Sequence, residues 1–330
     1  MSELFQTSLT NLFSPMVLFF VLGLMAGRLH SDLEVPEAIG KGLSLYLMLA
    51  IGFKGGVGLA QNAHGELVAV AMLAAFALSF LLPVLSYSLL RLTTRLDIPN
   101  AASIAAHYGS TSVVTFVTAT AFLSQQKVAF DGYLVAMMAV METPAILSGL
   151  LLARRDQAMA KTRGNGGMLS EGVLREVLLS GSVFLLVGSL VIGWATGEKG
   201  MAAIAPFVEA PFNGILCLFL LDMGLLAARR LSDFRAVGPA LVAFGFYMPL
   251  VGASLGILTA RILGMPVGDA TLLAVLAASA SYIVVPAAMR LALPQANPSI
   301  SVTLSLGVTF SFNVIVGIPL YYAVARFVIP

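Results

Sequence analysis

The stretch His-Tyr-Gly-Ser-Thr-Ser at 107–112 places small and polar residues inside the apolar segment 99–124. A second run, Ala-Ala-Ser-Ala-Ser-Tyr at 277–282, does the same within segment 268–291 and is followed by Pro286. Small residues allow helices to approach closely, and proline removes a backbone donor from a helix. The two runs therefore predict two membrane spans that are interrupted near their centres.

The remainder of the chain has the composition of a protein that sits in lipid. It has 330 residues, of which 59% are hydrophobic and 10% charged, whereas soluble domains are about 25% charged. A membrane helix needs roughly 20 apolar residues, and eight further segments meet this length. They are 10–29, 36–60, 66–91, 132–153, 175–196, 206–228, 236–262 and 300–327. The sequence thus predicts an all-α integral membrane protein of about ten transmembrane helices.

Basic residues predict how this bundle is oriented. The odd-numbered connections between spans hold 13 of the 18 Lys and Arg residues, and positive charge marks the cytoplasmic side. We therefore expect both termini outside and the polar segment 154–174 in the cytoplasm. A net charge of +2 gives no indication of a nucleic-acid partner.

The two halves of the chain match each other at a slowly drifting offset. The matched pairs are Gly27 with Gly193, Lys54 with Asp222, Pro99 with Pro266, Gly109-Ser-Thr with Ser279-Ala-Ser, and Glu142-Thr-Pro with Gly317-Ile-Pro. Five spans per half is an odd number, so the second half enters the membrane upside down, as in many secondary transporters. The predicted units are a first five-helix repeat at 1–153, a cytoplasmic linker at 154–174 and an inverted repeat at 175–330.

The two polar runs form the predicted binding site. In inverted-repeat transporters, interrupted helices (here the fourth and ninth) cross at the midplane, and their N-terminal ends favour an anion. Ser and Thr hydroxyls can donate to an anion or accept a coupling cation. The competing interpretation is that these residues only pack helices together. The substrate-binding candidates are Gly109, Ser110, Thr111, Ser112, Ser279, Ala280, Ser281 and Tyr282.

Polar residues inside spans are costly in lipid and usually functional, so they are the candidates for ion coupling. These candidates are Glu142, Asp222, Lys54, Asn313 and His107. Each has a structural alternative. Lys54 could extend its amine to the membrane surface, and Asp222 could form a packed pair with Lys54 or an arginine. His107 could be a satisfied core residue, and Asn313 could bridge two helices.

Other function classes lack their sequence signatures. The chain has no nucleotide-binding glycine loop, no zinc-type His and Cys spacing and no Gly-x-Ser-x-Gly elbow. The single cysteine, Cys217, is expected in the core. An enzyme, a resident cofactor and an ATP-driven pump are therefore disfavoured. A secondary transporter of a small solute, driven by an ion gradient, is the favoured class.

Six short motifs in order resemble one known family over nearly the whole chain. They are Ile-Gly-Phe-Lys-Gly-Gly (51–56), Tyr-Gly-Ser-Thr (108–111), Met-Glu-Thr-Pro-Ala (141–145), Ala-Ala-Ser-Ala-Ser (277–281), Gln-Ala-Asn-Pro-Ser (295–299) and Gly-Ile-Pro-Leu (317–320). Together they resemble the sodium-dependent bicarbonate transporter family SbtA. The resemblance implies a ten-helix protomer with a core domain and a gate domain. It also implies a homotrimer in the bacterial inner membrane, and a PII-like cytoplasmic regulator as a further partner.

The resemblance also implies which residues bind the transported ions. Bicarbonate and sodium are expected at the crossing of the two interrupted helices, with a possible sodium site at Ser110, Ser281 and Glu142. One position departs from the family, because Tyr282 stands where its best-known members carry an acidic residue. The alternatives left open are a carrier of another small carboxylate and a membrane sensor that binds bicarbonate or a metabolite without moving it.

Overall fold

A computed structural model describes residues 13–61, 65–159, 181–231 and 238–329. Across these ranges the chain is helical and contains no β-strand. Seven helices within them are long and apolar enough to cross a membrane, namely Glu37–Gln61, Leu67–Thr93, Tyr133–Ala153, Val183–Val208, Phe212–Arg230, Pro239–Ile262 and Pro298–Val328. The predicted all-helical, multi-pass membrane architecture is therefore confirmed. Most of the predicted linker lies outside the described residues.

The helices follow one another without any other regular element in the described ranges. The first half contains α1 (Pro15–Arg28), α2 (Glu37–Gln61), α3 (Gly65–Thr93), α4 (Ile98–Gly109), α5 (Val113–Gln125), α6 (Tyr133–Val140) and α7 (Glu142–Met159). The second half contains α8 (Gly181–Val208), α9 (Phe212–Leu231), α10 (Pro239–Ile262), α11 (Val267–Ala278), α12 (Val284–Ala292), α13 (Pro298–Val302) and α14 (Ile318–Val328). Between α13 and α14 the chain is π-helical at Thr303–Phe310 and Asn313–Gly317.

The chain leaves helical geometry at both polar runs. Ser110 ends α4 in an extended conformation, and the hydroxyl of Ser112 accepts the Thr115 N–H to cap α5. Ser279 ends α11 in the same extended conformation. Pro286 lies in the first turn of α12, where its missing N–H leaves no helical bond unmade. Extended residues followed by a capped or proline-containing first turn thus produce each break.

Helices α1 and α9 pack along each other, and so do α2 and α8. Glycines make this close approach possible. A methyl group added at Gly23 of α1 would meet the carbonyl oxygen of Leu221, and one at Gly56 of α2 would meet that of Leu190. The two helix pairs therefore depend on backbone-to-backbone contact of the kind common in membrane bundles.

These contacts recur between the halves of the chain. Gly193 faces the Phe53 carbonyl as Gly23 faces that of Leu221, and Gly224 faces the Phe20 carbonyl as Gly56 faces that of Leu190. Equivalent positions are 170 apart in α1 and α8 and 168 apart in α2 and α9. The expected match of Gly27 with Gly193 is therefore wrong by one helical turn, because Gly23 makes the equivalent contact.

The second group of helices encloses the breaks. In it, α3 packs on α4 and α7, and α10 packs on α11 and on the π-helical segment. Helix α8 also departs from its predicted end at 196. It bends at Gly197, whose φ of +55° suits a residue without a side chain, and then continues to Val208.

Candidate functional site

The two broken segments bind each other directly. The backbone N–H of Ser112 donates to the hydroxyl oxygen of Ser279 at 3.0 Å, and the N–H of Ser281 donates to the His107 carbonyl at 2.9 Å. The imidazole Nδ1 of His107 lies 2.5 Å from the carbonyl oxygen of Ser281. Because a carbonyl oxygen only accepts, Nδ1 is the donor. Backbone groups freed by one break are thus satisfied by the other.

Glu142 at the start of α7 closes the site on one side. Its carboxylate accepts from the Ser110 hydroxyl at 3.0 Å and from the Thr111 hydroxyl at 3.4 Å. The side chain is only 2% exposed. Its position follows from the sequence, since α7 begins at this residue just before Pro144. A buried carboxylate with two hydroxyl neighbours is a set of hard oxygen donors suited to a small cation.

Asn313, in the second π-helical segment, approaches the other break. Its amide nitrogen donates to the Ala278 carbonyl at 3.0 Å, and its amide oxygen accepts from the Tyr321 hydroxyl at 2.7 Å. Asn313 therefore supports the end of α11 as Glu142 supports the end of α4. Single π turns often mark functional sites, and this one turns a polar side chain toward the break.

A small pocket lies where the breaks meet. It has a volume of about 10 Å³ and is lined by Met48, Thr111, Ser112, Val113, Glu142, Ser281, Tyr282, Ile283 and Val284. This space holds about one water-sized species. The lining includes the first residues of both α5 and α12, so the positive ends of two helices face one point. The pocket brings together four of the eight predicted substrate-binding residues and Glu142.

A second, much larger cavity approaches the same place from the surface. Its volume is about 870 Å³, and its lining includes the exposed residues Glu34, Glu37 and Lys41 as well as Asp222 and Tyr282. Tyr282 lines both cavities, so its side chain forms part of the wall between them. The ring packs edge-on against Phe310, and its buried hydroxyl lies near the Ser112 side chain but makes no hydrogen bond within 3.5 Å to the described residues.

Lys54 and Asp222 lie apart. Lys54 places its amine 4.6 Å from the ring centroid of Phe212, the first residue of α9. Asp222 lies ten residues further along α9, about 15 Å by helical rise, and packs against Gly40 of α2. Asp222 therefore lines the large cavity, whereas Lys54 of α2 contacts the opposite end of α9. Lys54 and Asp222 are 168 residues apart, which is the offset that relates α2 to α9, so they are equivalent positions of the two helix pairs α2–α8 and α1–α9.

Two further buried polar groups were not predicted. Asp269 is fully buried at the start of α11 and accepts from the Tyr133 hydroxyl at 2.6 Å and the Asp131 N–H at 2.8 Å. The Tyr108 hydroxyl lies 2.7 Å from that of Thr309. Asp269 lies close to the end of its predicted span, where an acidic residue does not by itself indicate a functional site. Nothing in the local sequence indicates the partners of either group.

Two other residues considered in the sequence, Ala280 and Cys217, are packed in the protein interior. Ala280 is buried in an apolar cluster around α4, α10 and α12, and Cys217 is buried as expected. Among the described residues, no three or more His, Cys, Asp and Glu side chains group as they would around a transition metal.

Paired helix breaks that face one pocket inside a multi-pass bundle define a membrane protein of the secondary-transporter class. The sequence profile of the Na+-dependent bicarbonate transporter superfamily matches residues 15–326. The chain therefore belongs to this superfamily, and the predicted resemblance is confirmed. A comparison with curated proteins gives no match.

Proposed function

We propose that the protein is a secondary transporter that moves bicarbonate together with sodium by alternating access. One observation carries this proposal, namely the pocket in which two helix N-termini and the Glu142 carboxylate face the same small space. Its lining offers helix N-termini to an anion and carboxylate and hydroxyl oxygens to a cation, side by side, once the pocket widens. The superfamily to which the chain belongs supports the choice of ions.

The anion is bound by backbone groups and hydroxyls. Val113 begins α5 and Val284 begins α12, and both line the pocket. The first N–H groups of a helix have no partner within it and carry the positive end of its dipole. A trigonal oxyanion can therefore accept from both helix ends without a lysine or arginine in the pocket.

The cation is bound by the oxygens around Glu142. The hydroxyls of Ser110 and Thr111 lie 3.0 and 3.4 Å from the Glu142 carboxylate, and Ser281 lines the adjoining pocket. A sodium ion here neutralises Glu142 and attracts bicarbonate to the adjacent helix ends. This shared electrostatic stabilisation couples the two ions. Tyr282, in place of the acid typical of the family, leaves Glu142 as the only carboxylate in the pocket lining.

The two cavities support the proposal of alternating access. The pocket of about 10 Å³ is too small for bicarbonate in this conformation, whereas the adjoining cavity of about 870 Å³ is open to the surface. The wall between them must therefore move when the anion enters. Tyr282 is part of that wall, so its displacement is the opening step on this side.

The architecture we propose has ten spans in two inverted repeats. The interrupted pairs α4–α5 and α11–α12 make the fourth and ninth spans, and α1 makes the first. The equivalent glycine contacts at offsets of 168 and 170 support the repeat. By the positive-inside rule, the large cavity faces the cytoplasm, because Lys41, Arg229 and Arg230 line it. Both termini then lie outside.

Three further proposals follow from the family alone. They are location in the bacterial inner membrane, assembly as a homotrimer and binding of a PII-like regulator on the cytoplasmic side. The predicted linker at 154–174, which would face such a regulator, lies mostly beyond the residues that the structure describes.

Uptake of radiolabelled bicarbonate into proteoliposomes tests the proposal. We expect uptake when sodium is present outside and little when potassium replaces it. A panel of unlabelled acids, including formate, acetate and pyruvate, tests the alternative of a carboxylate carrier. Stronger competition by a carboxylate than by bicarbonate would reassign the substrate. Uptake that does not depend on sodium would contradict the proposed coupling of bicarbonate to sodium.

A further inference from the structure

A third cavity lies behind the crossing, beside His107. It has a volume of about 90 Å³ and is lined by Ser103, His107, Pro286, Met289, Arg290, Pro294, Ala296, Pro298 and Ser301. His107 connects this cavity to the pocket at the breaks through its hydrogen bond to Ser281, which lines that pocket. Its volume accommodates a small oxyanion or a few waters.

His107 presents an unused acceptor to this cavity. The residue is fully buried, and its Nε2 has no hydrogen-bond partner among the described residues. Because Nδ1 donates to the Ser281 carbonyl, the neutral ring carries its lone pair on Nε2. A buried acceptor without a partner is costly. A ligand that completes this site must therefore donate a hydrogen to Nε2.

Arg290 of α12 determines the charge of that ligand. Its side chain lines the same cavity and is otherwise exposed. A guanidinium favours an anion and can bind two oxygens of a planar oxyanion at once. The cavity is therefore complementary to a small planar anion that also carries an O–H group.

We propose that the His107–Arg290 cavity is a second binding site for bicarbonate, distinct from the pocket at the helix breaks. The anion places two oxygens against Arg290 and donates its O–H to Nε2 of His107. The choice of ligand rests on the proposed function, since bicarbonate is the anion transported there. Nitrate has the same shape and charge but no hydrogen to donate, so this site discriminates between the two.

The cavity lining contains no carboxylate to hold a sodium ion and contains the cationic Arg290, so we expect binding without sodium. Equilibrium binding of radiolabelled bicarbonate to the purified protein in sodium-free, mildly alkaline buffer therefore tests it. We expect saturable binding, at least ten-fold weaker in Arg290→Gln, because a charge-assisted bond is lost. The matched control is Arg261→Gln, which removes one exposed basic residue at α10 and should bind like the wild type.

His107→Asn is the second test variant. The Asn amide can still donate to the Ser281 carbonyl but has no atom at the place of Nε2, so we expect a similar loss of binding. Arg290 is exposed, and its variant keeps the test valid if the buried substitution prevents folding. Unlabelled nitrate should displace bicarbonate at least ten-fold less well than unlabelled bicarbonate does.

Three results would overturn the proposal: no saturable sodium-free binding to the wild type, wild-type affinity in both variants, or equal displacement by nitrate. Uptake into proteoliposomes from the same preparation separates this site from the transport function. If sodium-driven uptake is normal but sodium-free binding is absent, only the second site fails. If uptake is absent but binding depends on Arg290 and His107, the transport proposal fails and the site stands.

Discussion

Ser112 donates its backbone N–H to the hydroxyl of Ser279 at 3.0 Å, although 167 residues separate them. Each residue lies in a helix break, so a side chain of one half satisfies a backbone donor of the other. The Ser279 hydroxyl in turn donates to the Leu276 carbonyl of its own helix at 2.9 Å. This single hydroxyl therefore links the end of α11 to the start of α5.

Replacing Ser279 by alanine should damage the site. The Ser112 N–H would lose its acceptor, which costs about 1–3 kcal/mol for a buried donor. We expect the initial rate of bicarbonate uptake to fall by about ten-fold, since 1.4 kcal/mol corresponds to that factor. Ser305→Ala is the control, because this buried hydroxyl bonds only within its own helical segment. Equal uptake by both variants would argue against the link between the breaks.

Glu142→Gln should raise the sodium concentration needed for half-maximal uptake by about ten-fold or more. The substitution keeps the shape of the side chain but removes the charge that balances sodium, and bonds to charged groups contribute about 1.5–3 kcal/mol. Asp269→Asn is the matched control, because Asp269 is also a buried carboxylate with two donors but lies outside the pocket. We expect Asp269→Asn to lower thermal stability without changing sodium dependence. A sodium dependence unchanged in Glu142→Gln would contradict the assigned cation site.

Tyr282 should act through its ring and not through its hydroxyl. The hydroxyl lies near Ser112 but makes no hydrogen bond within 3.5 Å in the described part of the chain, so Tyr282→Phe should transport within about two-fold of the wild type, as expected where no close hydrogen bond is lost. Tyr282→Ala removes part of the wall between the cavities of about 10 and 870 Å³ and leaves Ile283, which also lines both. We expect it to admit larger carboxylates, measured by acetate and pyruvate competition. Loss of uptake in the phenylalanine variant would show instead that the hydroxyl contacts the substrate.

Gly56→Ala and Gly224→Ala should destabilise the protein to a similar degree. Each added methyl group would meet a backbone carbonyl of the partner helix, Leu190 or Phe20, and overpacking of this kind costs about 1–3 kcal/mol. Gly188→Ala is the control, since no atom lies within 4 Å of the added methyl group. Thermal unfolding in detergent measures the effect. A Tm lowered in only one of the two variants would contradict the equivalence of the two helix pairs.

The sequence predicted the position of the breaks because their cause is local. Runs of small polar residues and Pro286 disfavour a continuous helix wherever they occur. The partners of His107 and Asn313 are backbone carbonyls of distant residues, and no residue type identifies a carbonyl in advance. For the same reason, the separate environments of Lys54 and Asp222 appear only when α2 and α9 are placed in space.

The drifting offset between the halves has a physical reason as well. The matched motifs are 170 apart at the breaks but 175 apart at Pro144 and Pro319. The last span contains two π-helical segments, Thr303–Phe310 and Asn313–Gly317. A π turn contains more residues than an α turn, so this span needs extra residues for the same length. The one-turn error at Gly27 arose because Gly23 and Gly27 are equally plausible in sequence and only packing distinguishes them.

Concentrative uptake is the most direct test of the central claim that two broken helices form one site for sodium and bicarbonate. Proteoliposomes are loaded with bicarbonate at the external concentration, and the net flux of label is followed after a sodium gradient is imposed. We expect accumulation above the external level with an inward sodium gradient, and net loss when the gradient is reversed. Equilibration without accumulation under either gradient would contradict it.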